Sequence, residues 1–137
     1  MSRYIPNTLR KMVAERANHC CEYCRAQATD SLFPFHIDHI VSIRHGGKTV
    51  VENLAYACQI CNSNKGADIA TYLDDLTIPV RFFNPRLDAW RDHFEADDSG
   101  ELLSKTSIGA ATIKILDLNH PESIIERREL IRFGLFS

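Results

Sequence analysis

Four cysteines carry the clearest chemistry in the chain. Cys21-Glu22-Tyr23-Cys24 and Cys58-Gln59-Ile60-Cys61 are two pairs, each with a two-residue gap. That spacing lets both thiolates of one tight turn grip the same ion, and two such turns complete a tetrahedral site. Zinc is the expected occupant, because soft thiolates suit it and it brings no redox chemistry of its own. A closed four-sulfur site is structural, so Cys21, Cys24, Cys58 and Cys61 are expected to hold Zn²⁺ without joining a reaction. Separate buried thiols and a thioredoxin-like redox pair are the weaker readings. A redox pair needs no second matching pair, and the βαβ context expected of it is missing here. Cys20 can replace Cys21 only by breaking the gap, and reads as a buried small residue.

Between Cys24 and Cys58 lie 33 residues, well beyond the roughly 15–20 of a simple zinc ribbon. Something is therefore built inside the zinc loop. The insert carries His36-Ile37-Asp38-His39-Ile40, and the second pair is followed at once by Asn62-Ser63-Asn64-Lys65-Gly66.

The ordered series Cys21…Cys24, Asp38-His39-Ile40, Gly46-Gly47, Asn53-Leu54, Cys58…Cys61-Asn62 and Lys65-Gly66 resembles the HNH endonucleases, whose ββα-metal core is often braced by a four-cysteine zinc site. The resemblance covers about residues 7–75 and rests on six separate elements in order. It implies an α+β fold: a ββα-metal core with structural zinc knuckles, an N-terminal helix and a mainly helical C-terminal extension. It implies that Asp38 and Asn62 bind a catalytic divalent cation and that His39 is the general base. Asn53 would pin the loop between the strands so that His39 points correctly. His36 would assist the metal or hold the substrate, and Lys65 would meet a phosphate. The implied substrate is DNA, cut by hydrolysis to 5′ phosphate and 3′ hydroxyl ends.

The residues make chemical sense on their own terms. Phosphodiester hydrolysis needs a water deprotonated for in-line attack, a positive charge on the scissile phosphate and stabilisation of the departing oxygen. Histidine, with an ordinary pKa of about 6.5, offers a neutral imidazole at neutral pH. Asp38 and Asn62 offer oxygen donors suited to Mg²⁺ or Mn²⁺, with water and phosphate oxygens filling the other positions. Taken alone, a strand histidine is usually satisfied by hydrogen bonds and catalyses nothing, so the weight rests on the whole constellation. Arg44, His45 and Lys48 cluster near Gly46-Gly47, where a local DNA contact and a plain polar loop are both open.

The elements that must position these groups follow from apolar spacing. Leu9, Val13 and Ala17 recur every four residues after Pro6-Asn7, predicting a helix over about residues 8–17 capped by Asn7. The aromatic and β-branched run Leu32 to Val41 predicts a strand, Gly46-Gly47 a turn, and Leu54-Ala55-Tyr56-Ala57 a second strand. After Cys61, Ile69, Ala70, Leu73 and Leu76 follow helical spacing. Pro79 then opens a second block, giving expected units of 1–78 and 79–137. In it Val80 to Phe83 reads as extended, and Asp97 to Gly100 as a loop. Ser107 is the expected cap of a helix carrying Ile108, Ala111, Ile115 and Leu116, and a last helix begins near Pro121. Phe82, Phe83, Leu87, Trp90 and Phe94 need burial, so the extension is expected to pack on the core or on a partner. Arg86 and His93 are expected in an ion pair or a hydrogen-bonded core position rather than on DNA.

Composition narrows the classes. With 137 residues, 45% hydrophobic and 25% charged, the chain suits an ordinary globular domain and no disordered, collagenous or coiled-coil class. No stretch approaches the roughly 18 apolar residues of a membrane span, and the start lacks the apolar segment of a secretory signal, so the cytoplasm is the default expectation. Net charge is −2, with eight basic and eight acidic residues up to Asp75 and eight against ten beyond it. Bulk electrostatics would not draw such a chain onto nucleic acid, so any DNA contact must be local. The same near-neutral balance keeps open an alternative: a non-catalytic zinc module that binds nucleic acid or protein.

Overall fold

A computed structural model describes residues 4–28 and 35–137. Helix α1 (Asn7–Arg16) leads through the first cysteine turn to strand β1 (His36–His39), and after two 3₁₀ turns to β2 (Leu54–Ala57) and α2 (Gln59–Lys65). These form the ββα unit. β1 and β2 pair antiparallel, with His36 opposite Ala57, Asp38 opposite Ala55 and His39 opposite Leu54. The predicted second strand matches β2, whereas the expected start of the first, Leu32 to Pro34, lies outside the described residues. Asn7 is the first residue of α1 rather than its cap. Pro6 takes the cap position, and no side chain bonds the free N–H groups. A proline there suits the extended backbone that precedes a helix.

The helix expected from Ile69, Ala70, Leu73 and Leu76 does not form. Helix α2 ends at Lys65 because Gly66 turns the backbone to φ +51°. Residues Ala70–Tyr72 form β3, which pairs antiparallel with β4 (Pro79–Arg81). Ile69 and Leu76 remain exposed, so their spacing reflects no buried helix face. The hairpin spans residue 78, where the boundary between two units was expected.

The extension continues with α3 (Trp90–His93), a hairpin of β5 (Phe94–Ala96) and β6 (Leu102–Ser104), and helices α4 (Ser107–Leu116) and α5 (Pro121–Arg132). Thr106 rather than Ser107 caps α4, its hydroxyl accepting from Gly109 N–H at 3.1 Å. Gly109 is required where α4 meets α3, since a Cβ there would fall 2.2 Å from the His93 carbonyl oxygen.

The main core draws on both halves of the chain. Tyr23, Ala55, Ala57 and the four zinc-loop cysteines pack in one cluster with Phe82, Phe83, Trp90, Phe94, Leu102 and Leu116. Phe83 meets Tyr23 and Phe94 edge to face, with ring centroids 6.4 and 5.4 Å apart. A smaller cluster of Ile5, Val13 and Leu54, with Ile37 and Tyr56, seats α1 on the opposite face of the β1–β2 hairpin. The alternation of strand side chains thus gives one face to α1 and the other to the sulfur cluster and the extension. Leu87, by contrast, stays exposed. No described helix is long and apolar enough to cross a membrane.

Candidate active site

Each cysteine pair forms a turn in which backbone N–H groups point back at sulfur. Cys24 N–H lies 3.5 Å from Cys21 Sγ, and Cys61 N–H lies 3.4 Å from Cys58 Sγ. The four buried Sγ atoms lie within 4.8 Å of one another, and Cys24 and Cys58 approach to 3.6 Å. A tetrahedral zinc with bonds of about 2.3 Å needs sulfurs about 3.8 Å apart, so the donor set fits structural zinc. Hydrogen bonding to Cys21 and Cys58 and burial push the Cys24 thiol up against an opposing bond with Cys61, bonds with Cys21, Cys24 and Cys58 and burial push Cys61 up, and bonds from Cys21, Cys24 and Cys61 push Cys58 down. A dication binds thiolates, so loading the site would release the thiol protons. Cys20 stands outside this group. It is half-buried rather than buried, and its Sγ lies 3.5 Å from the Asn18 carbonyl oxygen.

Both cysteine turns reach the polar centre next to them. Tyr23, fully buried inside the first turn, donates its hydroxyl to Asp38 Oδ2 at 2.7 Å. From the second turn, α2 carries Asn62 one residue past Cys61 and Lys65 one helical turn later. Asp38, on the sulfur-facing side of β1, is 4% exposed. The Lys65 ammonium lies 3.2 Å from each Asp38 carboxylate oxygen and donates to the His39 carbonyl oxygen at 3.0 Å. Burial pushes the Asp38 carboxyl up, and the Lys65 charge and the two hydrogen bonds oppose that. Lys65 is itself buried, so its ammonium backs Asp38 instead of standing at the protein surface, where a phosphate contact was expected.

An open cleft of about 340 Å³ lies in front of these groups, lined by Asp38, His39 and Asn62 together with Arg10 and Arg44. Its position follows from the fold. His39 ends β1, Asn62 starts the second turn of α2, and Arg10 of α1 with Ile5 just before that helix closes the side. His39 Nε2 lies 2.9 Å from Thr49 Oγ1, which orients the imidazole. The Asn62 amide makes no hydrogen bond with another described side chain, leaving its oxygen available to a ligand in the cleft.

Asn53 holds the loop that joins the strands. Its Oδ1 accepts from Val41 N–H, and its Nδ2 donates to the carbonyl oxygens of Val41 and Lys48, all at 2.9 Å. The backbone passes so close that a Cβ on Gly47 would fall 1.7 Å from the Val41 oxygen. Gly46 takes φ +91°, a left-handed conformation that glycine adopts freely. His36 lies on the other flank, its Nε2 2.6 Å from Gln59 Oε1, and it does not line the cleft.

With this geometry in place, residues 21–68 match the family model described as HNH endonuclease. This segment is an HNH domain. Comparisons of the whole chain with curated proteins and with solved structures gave no match. The HNH segment begins at the first zinc-site cysteine and ends just beyond α2, so α1 with Arg10 and everything from β3 onward lie outside it.

Two residues at the site went unnoticed in the sequence. Tyr23 looked like a spacer between ligands, although an aromatic ring inside such a tight turn has few places to go but the core. Arg10 carried no signal, because an arginine on an amphipathic surface helix is ordinary. Arg86 and His93 occupy packed positions: Arg86 pairs with Glu22 and donates to the Leu54 carbonyl oxygen at 3.2 Å, and His93 Nδ1 lies 2.6 Å from Thr106 Oγ1.

Proposed function

We propose that the protein is an endonuclease that hydrolyses DNA phosphodiester bonds with one divalent cation, Mg²⁺ or Mn²⁺, and a histidine general base. The observation that carries this reading is the open cleft that Asp38, His39 and Asn62 line together, all three of them within the segment that matches the HNH family model. Asp38 and Asn62 would hold the cation, which polarises the scissile phosphate and stabilises the departing 3′ oxygen. His39 would take a proton from the attacking water. Its Nε2 lies 2.9 Å from Thr49 Oγ1, a contact that holds the ring in place at the edge of the cleft. Asn53 acts through the backbone it ties down, as a positioning residue. Arg10 and Arg44 supply the local positive charge that a near-neutral chain needs to hold a phosphate backbone. Structural zinc fixes the spacing of the parts, through Tyr23 on one side and α2 on the other.

One observation favours a second reading, a non-catalytic zinc module binding nucleic acid or protein. The Asp38 carboxylate is buried and already engaged by Tyr23 and Lys65, as a purely structural aspartate would be. Plasmid cleavage with Mg²⁺ or Mn²⁺ separates the two. The parent should cut, and His39→Ala and Asn62→Ala, each shown to retain zinc, should lose about 10²-fold or more. Equal cutting by parent and His39→Ala would remove His39 as base, and no cutting with any cation would favour the binding module.

A further inference from the structure

We propose that the buried ammonium of Lys65 competes with the divalent cation for Asp38, so that the cleft binds the ion strongly only when a phosphate group arrives with it. This rests on the reading of Asp38 as a cation ligand and goes beyond it by assigning a role to the charge behind that ligand.

The argument is one of charge. Among the groups set to receive the cation, only Asp38 bears a negative charge, and Asn62 is neutral. Lys65 places its ammonium 3.2 Å from both oxygens of that carboxylate. The exposures of the two side chains, 1% for Lys65 and 5% for Asp38, leave little water to screen the pair. The carboxylate is thus neutralised from behind, and Arg10 and Arg44 add positive charge along the same cleft. A dication entering alone meets no net negative charge and is repelled by a cation a few ångströms away. A phosphodiester supplies the missing negative charge and at least one oxygen ligand, so ion and substrate should each raise the affinity for the other. The Lys65 ammonium also offsets the cost of burying the Asp38 carboxylate. If the ion pair were purely structural, removing the Lys65 charge would not tighten binding of the ion.

The test follows Mn²⁺ binding by electron paramagnetic resonance, using the zinc-loaded full chain at pH 8 with His39→Ala as the background to prevent cleavage. Adding Lys65→Met should tighten Mn²⁺ binding by about tenfold or more. Adding a short DNA duplex to the background protein, with binding to DNA alone subtracted, should tighten it by a similar factor. Unchanged or weaker Mn²⁺ binding in a folded Lys65→Met protein overturns the proposal, and so does DNA that leaves Mn²⁺ affinity unchanged. Should Lys65→Met fail to retain zinc and helix content, Lys65→Gln, which removes the charge and keeps a polar group beside Asp38, takes its place with the same expected tightening. Asp38→Asn separates the two levels of the argument. If it leaves Mn²⁺ binding intact, the cation reading of Asp38 falls and the competition with it. If it weakens binding while neither Lys65→Met nor DNA tightens it, only the competition falls.

Discussion

Trp90 donates its indole N–H to the backbone carbonyl oxygen of Tyr23 at 2.9 Å, joining the extension to the middle of the first cysteine turn. Trp90 is the chain's one tryptophan and is almost fully buried, against Phe94 and beneath the Arg25 guanidinium. The sulfur cluster and the extension therefore share one packed interior.

Zinc removal should be felt throughout that interior. We expect one zinc per chain, four thiols masked from titration while it is bound, and a fifth, Cys20, that reacts. Stripping the ion with a thiol reagent and a chelator should red-shift Trp90 emission and lower helix content together. A native Trp90 spectrum in zinc-free protein would refute the shared interior.

Tyr23→Phe removes one buried hydrogen bond and leaves the ring packing intact. The Asp38 carboxylate would keep only Lys65 as its side-chain partner. Thermal or urea unfolding should show a loss of about 1–3 kcal/mol. Zinc stoichiometry should stay at one, because the sulfur ligands are untouched.

Asn53→Ala breaks three hydrogen bonds at once in the segment between the strands. We expect a stability loss of about 2–4 kcal/mol and cleavage reduced more than DNA binding. Hydrogen exchange should quicken at Val41 N–H, the group that Asn53 Oδ1 holds, while the amides of α4 keep their protection. Unchanged exchange at Val41 would count against the positioning role.

Asp88 gives a pH signature. Its carboxylate accepts two bonds from Arg81, at 2.8 and 2.9 Å, and one from Asn84 N–H at 2.9 Å. The Arg81 hydrogen bonds foremost hold its carboxyl below the usual aspartate range. A carboxyl lowered in the folded state binds fewer protons there than in the unfolded chain, so its stabilisation is complete above the unfolded pKa of about 4 and fades as pH falls through the folded value. The melting-temperature gap between parent and Asp88→Asn should be constant near neutrality and close in acid. A gap that persists at pH 2 would mean that the ionised carboxylate is not its source.

Phe83→Ala should destabilise by about 3–5 kcal/mol. Its ring touches Tyr23 from the zinc half and Phe94 and His93 from the extension, so no neighbour can move in without disturbing both. Denaturant unfolding followed by Trp90 emission and by far-ultraviolet circular dichroism should give a single coincident transition. Two separated transitions would contradict one cooperative core.

How far the sequence could be read depended on whether a signal was local. The paired cysteines were legible because one metal ion demands their spacing, and Leu54–Ala57 because a short apolar stretch between a turn and a cysteine knuckle has few other conformations. The convergence of Asp38, His39 and Asn62 on one cleft could be expected from their order along the chain. Residues 69–76 misled, because apolar spacing says nothing about a partner strand seven residues further on; the pairing of Thr71 with Val80 decided the outcome. The destination of Lys65 was equally hidden. Side-chain reach and burial put it behind Asp38, and a lysine followed by glycine reads the same in either location.

The β3–β4 hairpin has a practical consequence for anyone wishing to transplant the HNH segment into a chimera. Stopping at residue 78 would strand Ala70–Tyr72 without its neighbour and discard Phe82, Phe83 and Trp90, whose rings line the back of the metal-binding turns. The portable unit is the entire polypeptide from α1 to α5, and a fusion partner belongs at either end of it.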